Sequence, residues 1–378
     1  MSIISLIKGE SYDSSLLYHQ IERSLENIKF DPTGLKGATV AVKPNLLTTA
    51  SPEKGITTHP EFLRAVIKYI KAYGGEPVLV ECPAFIPLDK VLSKGGYMEI
   101  LLEEKVRISD TKITAHLRNE SGVKYKYFNV AEDLVKADYI FNLPKLKTHS
   151  LTYFTGAVKN LFGSIHGLEK SKWHIRANSA PEFISFLLDL YGGWYYLQNQ
   201  GTVHIMDGIL GLEGEGPGAS GKPKAANAII AGYDAIAVDS VAIRVAGLDL
   251  KRSGVCIEGE KRGYGFSSPE KITVTGNSVS DFSNSFIPPK SKSMVSAWPF
   301  NSPFFKNLLV EKPVPEPAKC TLCYQCRGIC PAGAIDKSAD GKIPVYDYSK
   351  CIRCYCCAEI CPEAAIELKK GFVAKLIG

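Results

Sequence analysis

Short apolar runs alternate with amphipathic stretches over roughly the first 280 residues of the chain. The runs typical of buried strands are residues 38–42, 77–80, 138–141, 203–206 and 228–230. Helical spacing marks residues 61–73, which end at Gly74-Gly75, and it recurs near residues 181–190 and 234–246. The first residues are typical of an initial strand. This alternation predicts an α/β fold with an open, mostly parallel sheet and flanking helices.

Prolines divide the 378-residue chain into three predicted units, which are residues 1–280, 281–315 and 316–378. Pro288, Pro289, Pro299, Pro303 and Pro313 break any long element in the middle unit, which is therefore predicted to be a linker. Its apolar residues predict that it packs on a domain, and they are Trp298, Phe300, Phe304, Phe305, Leu308 and Leu309. The third unit is predicted to be a small ferredoxin-like α+β module.

That third unit contains one cysteine pattern twice, C-x2-C-x2-C-x3-C-P. Bacterial-type ferredoxins use this spacing, in which three close thiolates bind one cubane cluster and the fourth cysteine binds the other. The predicted ligands of one 4Fe–4S cluster are Cys320, Cys323, Cys326 and Cys361. The predicted ligands of the second 4Fe–4S cluster are Cys351, Cys354, Cys357 and Cys330.

Composition narrows the cellular setting and the alternative interpretations of these cysteines. The formal charge of +6 is too small to indicate nucleic acid binding by itself. No apolar stretch is long enough for a membrane span and no leader pattern is present, so a cytoplasmic protein is expected. Free thiols and cubane clusters favour the reducing cytoplasm of an anaerobe. Disulfides and zinc are disfavoured, because disulfides need an oxidising compartment and zinc sites space their cysteine pairs differently.

Polar motifs follow three of the predicted strands. Lys43-Pro44-Asn45 follows the first clear strand, residues 145–149 (Lys-Leu-Lys-Thr-His) follow another, and Asp207-Gly208 follows a third. Ligands of open α/β sheets bind beyond the carboxyl ends of the strands. Lys43, Asn45 and Asp207 are therefore predicted to converge with the residue 145–149 motif on one crevice.

The stretch from residue 142 to residue 178 is basic, with Glu169 as its single acid. Lys145, Lys147 and Lys159 are embedded among apolar and small residues, where a charge needs a partner. Residues 155–160, ending in Lys159-Asn160, resemble a loop entering a helix, and a helix N-terminus is an anion site. The predicted ligand carries a carboxylate or phosphate. Lys170 and Lys172 are predicted to lie on a solvated face.

A second glycine-rich segment, residues 208–221, contains Glu213 and Glu215. It nearly matches a phosphate-binding loop, but Pro223 stands where Ser or Thr should bind magnesium, so an ATPase is not predicted. The segment is expected to be a mobile lid over the crevice, with Glu213 or Glu215 near the ligand.

Two histidines are the candidates for proton transfer. His149 and His166 flank the basic stretch, and imidazole titrates near neutrality. His204 is expected to be packed inside a strand, whereas His59 either begins a helix or belongs to the site. Cys82, Cys256 and Cys356 have no spacing partner and are expected to be buried free thiols.

Several of these motifs together resemble the family of domain of unknown function 362. They are Lys43-Pro44-Asn45, Thr57-Thr58-His59-Pro60, residues 142–149 and 155–163, Asp207-Gly208 with residues 213–217, and residues 234–239. The resemblance covers about residues 5–280 and implies an iron–sulfur-associated protein without an established activity, here fused to a bacterial-type two-cluster ferredoxin domain. A looser resemblance to the lactate racemase family implies a nickel-pincer cofactor held by Lys159 and histidines.

The leading hypothesis is an iron–sulfur oxidoreductase. Two 4Fe–4S clusters would pass low-potential electrons from a donor protein to an anionic substrate, or to a bound organic cofactor such as a flavin. Lys43, Lys145, Lys147 and Lys159 would bind that ligand. No G-x-G-x-x-G loop follows a strand, so a nicotinamide site is not predicted. The alternative is a non-enzymatic electron-transfer or adaptor subunit for a partner redox enzyme. Nucleic acid binding is disfavoured because few aromatic residues accompany the lysines.

Overall fold

The computed structural model describes residues 1–197, 201–290, 310–339 and 341–369. The strands of the first 290 residues are β1 (Ser2–Lys8), β2 (Thr39–Pro44), β3 (Glu76–Leu79), β4 (Arg107–Ile108), β5 (Thr114–Arg118), β6 (Tyr127–Ala131), β7 (Tyr139–Leu143), β8 (Lys145–His149), β9 (Tyr153–Thr155), β10 (Gly201–Gly214), β11 (Gly221–Gly232) and β12 (Ile272–Gly276). The α-helices there are α1 (Ser14–Asn27), α2 (Pro60–Ala72), α3 (Leu88–Lys94), α4 (Met98–Glu103), α5 (Glu132–Lys136), α6 (Ala157–Asn160), α7 (Gly167–Arg176), α8 (Ala180–Tyr196), α9 (Ala235–Val245) and α10 (Gly254–Lys261).

Ten of these strands form one sheet, in the order β12-β1-β11-β10-β7-β2-β3-β4, with β8 joined to β10 and β9 joined to β8. Neighbouring strands are parallel except where β11 pairs with β1 and β10 and where β9 pairs with β8. The predicted α/β fold with an open, mostly parallel sheet and flanking helices is confirmed. The carboxyl ends of β2, β3 and β7 consequently lie at one edge of the sheet.

Helices cover both faces of the sheet. One face is packed by α1 and α2, whose core side chains include Ile21 and Phe62. The other face is packed by α8 and α9, whose core side chains include Phe186 and Val238. Burial on both faces accounts for the continuous apolar runs of the strands. Within the described ranges, no helix combines the length and apolar character that a bilayer crossing requires.

The glycine-rich segment 208–221 is not a lid. β10 continues to Gly214 and β11 begins at Gly221, so these residues form the end of a long antiparallel hairpin. The Glu213 carboxylate accepts the Ile287 N–H at 2.9 Å, and Glu215 accepts the Ser150 hydroxyl at 3.1 Å. The prediction of a lid was wrong for residues 208–214, which lie in the strand ladder, and both carboxylates have partners within the chain.

The C-terminal unit is the small α+β module that the sequence predicts. It contains β13 (Lys312–Pro315), β14 (Ile335–Asp336), β15 (Val345–Tyr346), β16 (Ile366–Lys369), α11 (Gln325–Ile329) and α12 (Cys356–Ile360). β13 pairs with β16 and β14 pairs with β15, both antiparallel. The linker residues predicted to pack on a domain (Trp298, Phe300, Phe304, Phe305, Leu308 and Leu309) lie outside the described residues.

Two glycines let the module approach the α/β domain closely. A Cβ added at Gly328 of α11 would overlap the ring of Phe85, which follows β3. A Cβ added at Gly218 of the hairpin would overlap the carbonyl oxygen of Glu359 on α12. Both positions therefore need the absence of a side chain. The module is seated between the loop after β3 and the end of the hairpin.

Candidate functional site

The cysteines of the module form two groups. A cavity is lined by the four thiols Cys320, Cys323, Cys326 and Cys361, together with apolar residues such as Ile366. These four are the set that the sequence assigns to the first cluster, with the fourth ligand supplied by the other repeat. Cys323 is exposed and Cys361 is buried, so this group reaches the surface.

The other four cysteines are also neighbours of one another. Burial raises the pKa of Cys357, and the nearby thiols of Cys354 and Cys351 raise it further. Burial likewise raises the pKa of Cys330, and the nearby thiols of Cys354 and Cys351 raise it further. The structure thus brings Cys330 of the first repeat to the three close cysteines of the second.

The local backbone repeats along with the cysteines. Leu322 and Tyr324 flank Cys323 with φ of 57° and 54°, and Arg353 and Tyr355 flank Cys354 with φ of 63° at both residues. These left-handed conformations curl each loop.

Backbone donors also point at two of the sulfur atoms. The N–H groups of Ala334 and Ala365 donate to the Sγ atoms of Cys330 and Cys361, both at 3.3 Å. Hydrogen bonds of this kind stabilise a thiolate and lower its basicity as a metal ligand. These N–H groups therefore favour the thiolate form of the fourth cysteine in each repeat, which is the form that binds a metal.

The residues present fit two cubane clusters. Each group contains four cysteines, three from one repeat and the fourth from the other, as in bacterial-type two-cluster ferredoxins. Thiols arranged around a cavity, with N–H donors aimed at sulfur, are the surroundings of an iron–sulfur cluster.

The second cysteine group borders a crevice between the module and the α/β domain. Ile329, Cys356 and Ile360 of α11 and α12 form an apolar cluster against Ala84, with Cys354 at its margin. Next to this contact lies a cavity of about 100 Å³. Its polar lining consists of Asn45, Glu81, Cys82, Lys159, Asn160, Lys170, Ser171, His174, Cys356 and Glu359. A cavity of this size accommodates a small anion with water and is smaller than pockets that hold large cofactors.

Two of the predicted lysines already have carboxylate partners. Lys43, at the end of β2, donates to Glu81 Oε2 at 2.7 Å, and both side chains are buried. Lys145, at the start of β8, donates to Asp207 Oδ2 at 2.7 Å, and both are fully buried. The Tyr12 hydroxyl donates to Asp207 and accepts from Lys145, which completes that group. Lys43, Lys145 and Asp207 therefore balance charge inside the protein, and none of the three lines the cavity.

Lys147 and the predicted asparagines form a hydrogen-bonded chain behind the crevice. Lys147 Nζ donates to Asn45 Oδ1 at 2.7 Å, and Asn45 Nδ2 donates to Asn160 Oδ1 at 3.0 Å. Asn160 in turn donates to Asn142 Oδ1 at 2.7 Å. Burial, with Lys159 next, lowers the pKa of Lys147 to about 7. The chain fixes the two amides that line the cavity.

Lys159 is placed differently from the other lysines. Its side chain lines the cavity, and no hydrogen bond or ion pair joins its ammonium group to any described residue. Burial lowers the pKa of Lys159, and the Glu359 carboxylate of α12 acts in the opposite direction. Lys159 is part-buried, and because no direct partner holds its ammonium group, that group is available to bind an anion in the cavity.

His149 lies behind Glu359 and does not line the cavity. Its Nδ1 accepts the Leu151 N–H at 3.0 Å, so the neutral ring carries its hydrogen on Nε2. Nε2 lies 3.3 Å from Glu359 Oε1, although without the geometry of a hydrogen bond. Burial, followed by Lys159 and Lys147, holds the pKa of His149 well below its usual value.

His166 is separated from His149 by the structure. It is the N-cap residue of α7, and it lines a groove beside the crevice with its Nδ1 buried and unpaired. His59 proves to be the N-cap residue of α2, stacked on Tyr12 at 3.6 Å between ring centroids. His204 is packed against Asn142, as expected from its strand position.

Two expectations about the basic stretch were wrong. The N-terminus of α6 is not an open anion site, because Asp239 of α9 accepts the Ala157 N–H at 2.5 Å and the Val158 N–H at 3.3 Å. Lys170 is not solvated, because it is buried and donates to the carbonyl oxygen of Cys82. A carboxylate 82 residues away from Ala157 fills the first site. The Lys170 side chain belongs to the lining of the cavity, next to the module.

Sequence reasoning missed Glu81 and Glu359. Glu81 directly follows the apolar run 77–80, so the rule that located Lys43 could have found it. Glu359 lies between two cysteines of the repeat, and its contact with the lysines arises only when the module meets the α/β domain.

Comparisons with known proteins match two separate stretches of the chain. The model of the family Domain of unknown function (DUF362) matches residues 40–244, and that of a 4Fe-4S dicluster domain matches residues 312–362. The thylakoid-associated protein sll1697 of Synechocystis is 30% identical over 248 residues, which are 65% of this chain and 75% of that protein.

Two solved structures are similar over part of their length. A Thermotoga maritima protein gives a TM-score of 0.41 at 13% identity, covering 68% of this chain and 60% of that one. The lactate racemase apoprotein of Thermoanaerobacterium thermosaccharolyticum gives a TM-score of 0.35 at 14% identity, covering 62% of this chain and 55% of that one. This chain thus spans less than two thirds of either solved chain.

Proposed function

Because this chain belongs to the family of domain of unknown function 362 and carries a 4Fe–4S dicluster domain, we propose that it is an oxidoreductase that reduces a small anionic substrate in the crevice. When bound, the clusters supply single electrons at low potential, so a two-electron reduction uses both of them. A low-potential electron carrier protein restores the electrons. The family and the dicluster domain support iron–sulfur electron transfer, and the substrate is the step beyond them.

The observation that carries the proposal is the position of Lys159. Its unpaired ammonium lies in a cavity with α12 as one wall, and α12 is the helix that contains Cys357. An anion bound by Lys159 is therefore held next to the second cysteine group. The Asn45 amide, fixed by its bonds to Lys147 and Asn160, provides a neutral hydrogen-bonding group on the same lining.

The two cysteine groups take different places in this scheme. The group containing Cys323 reaches the surface, where a carrier protein can approach. The group containing Cys354 and Cys357 lies against the crevice. Electrons thus enter at the exposed group and leave from the enclosed one. The cavity of about 100 Å³ favours a small acid over a flavin. His149 lies behind Glu359, so its role in proton transfer stays a prediction.

The test uses the full chain with both clusters, prepared and reduced without oxygen. Small carboxylates with a reducible carbon–carbon double bond or ketone are added singly, and reoxidation of the clusters, by two electrons with two protons from water for each substrate molecule, is followed by absorbance; saturated carboxylates and phosphate are the non-reducible controls. Lys159→Met should keep the clusters and their spectrum but weaken the effective anion by about 10- to 100-fold, because a charge-assisted hydrogen bond contributes about 1.5–3 kcal/mol. Lys159→Arg keeps the charge and should lose less.

The control is Lys172→Met, which removes an exposed lysine of α7 and should leave reoxidation unchanged. If no small anion reoxidises the clusters, and electrons pass only to a partner protein at equal rates in wild type and Lys159→Met, the chain is an adaptor subunit and the proposal fails.

A further inference from the structure

A groove of about 650 Å³ lies beside the crevice, at the carboxyl ends of β3 and β4. It is lined by the segment from Cys82 to Asp89 after β3, the segment from Ile108 to Lys112 at β4, side chains Leu92 and Met98 of the following helices, and His166 with Gly167 at the start of α7. In α/β sheets this edge is where ligands bind.

Two large apolar side chains of the groove remain open to solvent. Phe85 is 40% exposed and Ile108 is 36% exposed, and Ile86 and Met98 extend the same surface. Apolar side chains gathered in a concave surface are the usual lining of a small-molecule site, and scattered exposed ones are not. The polar lining of the groove consists of Asp89, Ser109, Asp110, Thr111, Lys112 and His166.

The groove adjoins the crevice. Cys82, Pro83 and Ala84 line both cavities, so one short segment separates them. The Lys170 ammonium group sits on this segment, donating to the Cys82 carbonyl, and Lys159 lies beyond it. The apolar walls of the groove therefore lie across the segment 82–84 from the lysines of the crevice.

The groove also touches the cysteine-containing module. Phe85 forms part of its wall, and the ring of Phe85 packs on Gly328, which stands between Cys326 and Cys330. One wall of the groove therefore contacts α11, the helix that contains Cys326 and ends before Cys330.

We infer that the groove and crevice together bind one amphipathic acid, with an apolar aryl or alkyl body in the groove and its carboxylate at Lys159 and Lys170. This inference rests on the proposed function for the identity of the acidic end. It narrows the substrate class from small anions in general to carboxylic acids with an apolar body. The carboxylate is assigned to the crevice and the apolar body to the groove, because Lys159 and Lys170 line the crevice and not the groove.

Binding of phenylalkanoates, from phenylacetate to phenylbutyrate, tests the inference by calorimetry on the full chain with its clusters. Butyrate carries the acid without the aryl body, and phenylethanol carries the aryl body without the acid. The best phenylalkanoate should bind at least about tenfold more tightly than either, since burying an aromatic ring and pairing a carboxylate each add to the affinity.

Two variants test whether the apolar body of the ligand lies in the groove. Ile108→Ser removes an apolar wall of the groove and should weaken the phenylalkanoate about tenfold, while butyrate changes little. Gly167→Leu adds a side chain at the groove, and it should fold because a Cβ there lies 3.6 Å from the Pro83 oxygen, an ordinary contact. It should exclude the aryl body. Ile113→Ser is the matched control, because Ile113 is 53% exposed but does not line the groove.

The two proposals fail separately. If phenylalkanoates bind no more tightly than butyrate, or if both groove variants behave like Ile113→Ser, the amphipathic ligand is overturned, whatever reoxidation shows. If phenylalkanoates bind as expected but an aryl acid with a reducible carbon–carbon double bond, such as cinnamate, does not take two electrons from the reduced clusters and two protons from water to become phenylpropanoate, the groove is a ligand site and the proposed reductase activity is wrong.

Discussion

At the scale of single residues, the lysines near the crevice divide by whether a carboxylate lies within reach. Lys43 and Lys145 have Glu81 and Asp207 at 2.7 Å, whereas Lys159 has no hydrogen-bonding or ion-pair partner among the described residues. Lys43 and Lys145 are fully buried and each is neutralised by a carboxylate, whereas Lys159 is part-buried and its ammonium group is open to the cavity. The same residue type therefore serves the fold at two positions and is available to a ligand at the third.

The Lys43–Glu81 pair should be severely sensitive to the loss of one partner. Glu81→Gln leaves the Lys43 ammonium buried without a counter-charge, which costs about 3–5 kcal/mol of unfolding free energy. Replacing both residues, as Lys43→Met with Glu81→Gln, should recover much of that loss. Denaturant unfolding of the variants measures it. Glu103→Gln, which breaks an exposed pair with Arg64, should cost less than about 1 kcal/mol; equal losses in Glu81→Gln and Glu103→Gln would contradict the argument.

The affinity of the crevice for an anion should depend on pH through the titration of Lys147. Burial, and then Lys159, lowers the pKa of Lys147 to about 7. Lys147 therefore loses its positive charge as the pH rises through 7, and the affinity of the crevice for an anion should fall between about pH 6 and pH 8. Titration calorimetry with the anion found active in the reoxidation assay measures this. In Lys147→Met the fall should be smaller, and an unchanged profile would show that another group titrates.

At the scale of elements, loops at the sheet edge are held by carboxylates from distant parts of the chain. Asp239 of α9 caps the N-terminus of α6, and burial raises the pKa of Asp239 to about 7. Glu260 of α10 accepts hydrogen bonds from Ser267 and Ser268 and fixes the turn that leads to β12. Such contacts explain why short elements with little core of their own keep one conformation.

Glu260 should make stability depend on acid. Burial opposes ionisation, but hydrogen bonds from Ser267, Lys271 and Ser268 lower the pKa of Glu260 to about 2. Because the folded pKa lies below the unfolded value, the stabilisation is complete above about pH 5 and is lost as the pH falls through about 2. Solvent screens part of the effect, so Glu260→Gln should unfold about 1–2 kcal/mol more easily at pH 7. The difference from wild type should shrink as the pH falls toward 2.

Thermal or urea unfolding across this range measures the effect. Glu258→Gln changes a neighbouring carboxylate that is 42% exposed and should show little difference at any pH. A constant gap between Glu260→Gln and wild type down to pH 2 would mean that the carboxylate charge is not responsible.

At the scale of the whole molecule, the two units differ in what holds them together. The α/β domain has large apolar clusters on both faces of its sheet. The core of the module is small and consists largely of its own cysteines, with Ile335, Ala358, Ala365 and Ile366. So small a core contributes little more free energy than the conformational entropy that the chain loses on folding. Binding of the clusters by the cysteines therefore supplies most of the stability of the module.

Removal of iron should therefore unfold the module and spare the larger domain. With an iron chelator under anaerobic conditions, hydrogen exchange should become fast in β13 to β16 and stay slow in β2, β7 and β10. The loss should also expose the crevice, since α12 forms one of its walls. The intact chain with clusters is the control, and retention of protection in the module after iron loss would show that it folds on its apolar core alone.

The sequence by itself determined the α/β class, the positions of most strands and long helices, and the two groups of cysteines as a spacing pattern. Those features are local, because strand and helix periodicity and the C-x2-C-x2-C spacing are set by neighbours along the chain. The same local rule placed Lys43 and Asn45 at a strand end, and it could have placed Glu81 there as well.

Only the tertiary structure decided which lysines are free. Glu81 and Asp207 meet their lysines across 38 and 62 residues of chain, and Glu359 approaches Lys159 from the other folding unit. Nothing in the local pattern distinguishes paired Lys43 from unpaired Lys159. Whether a buried charge meets a counter-charge depends on contacts between elements that are distant in sequence, and such contacts exist only once the sheet has assembled and the module has docked on its edge.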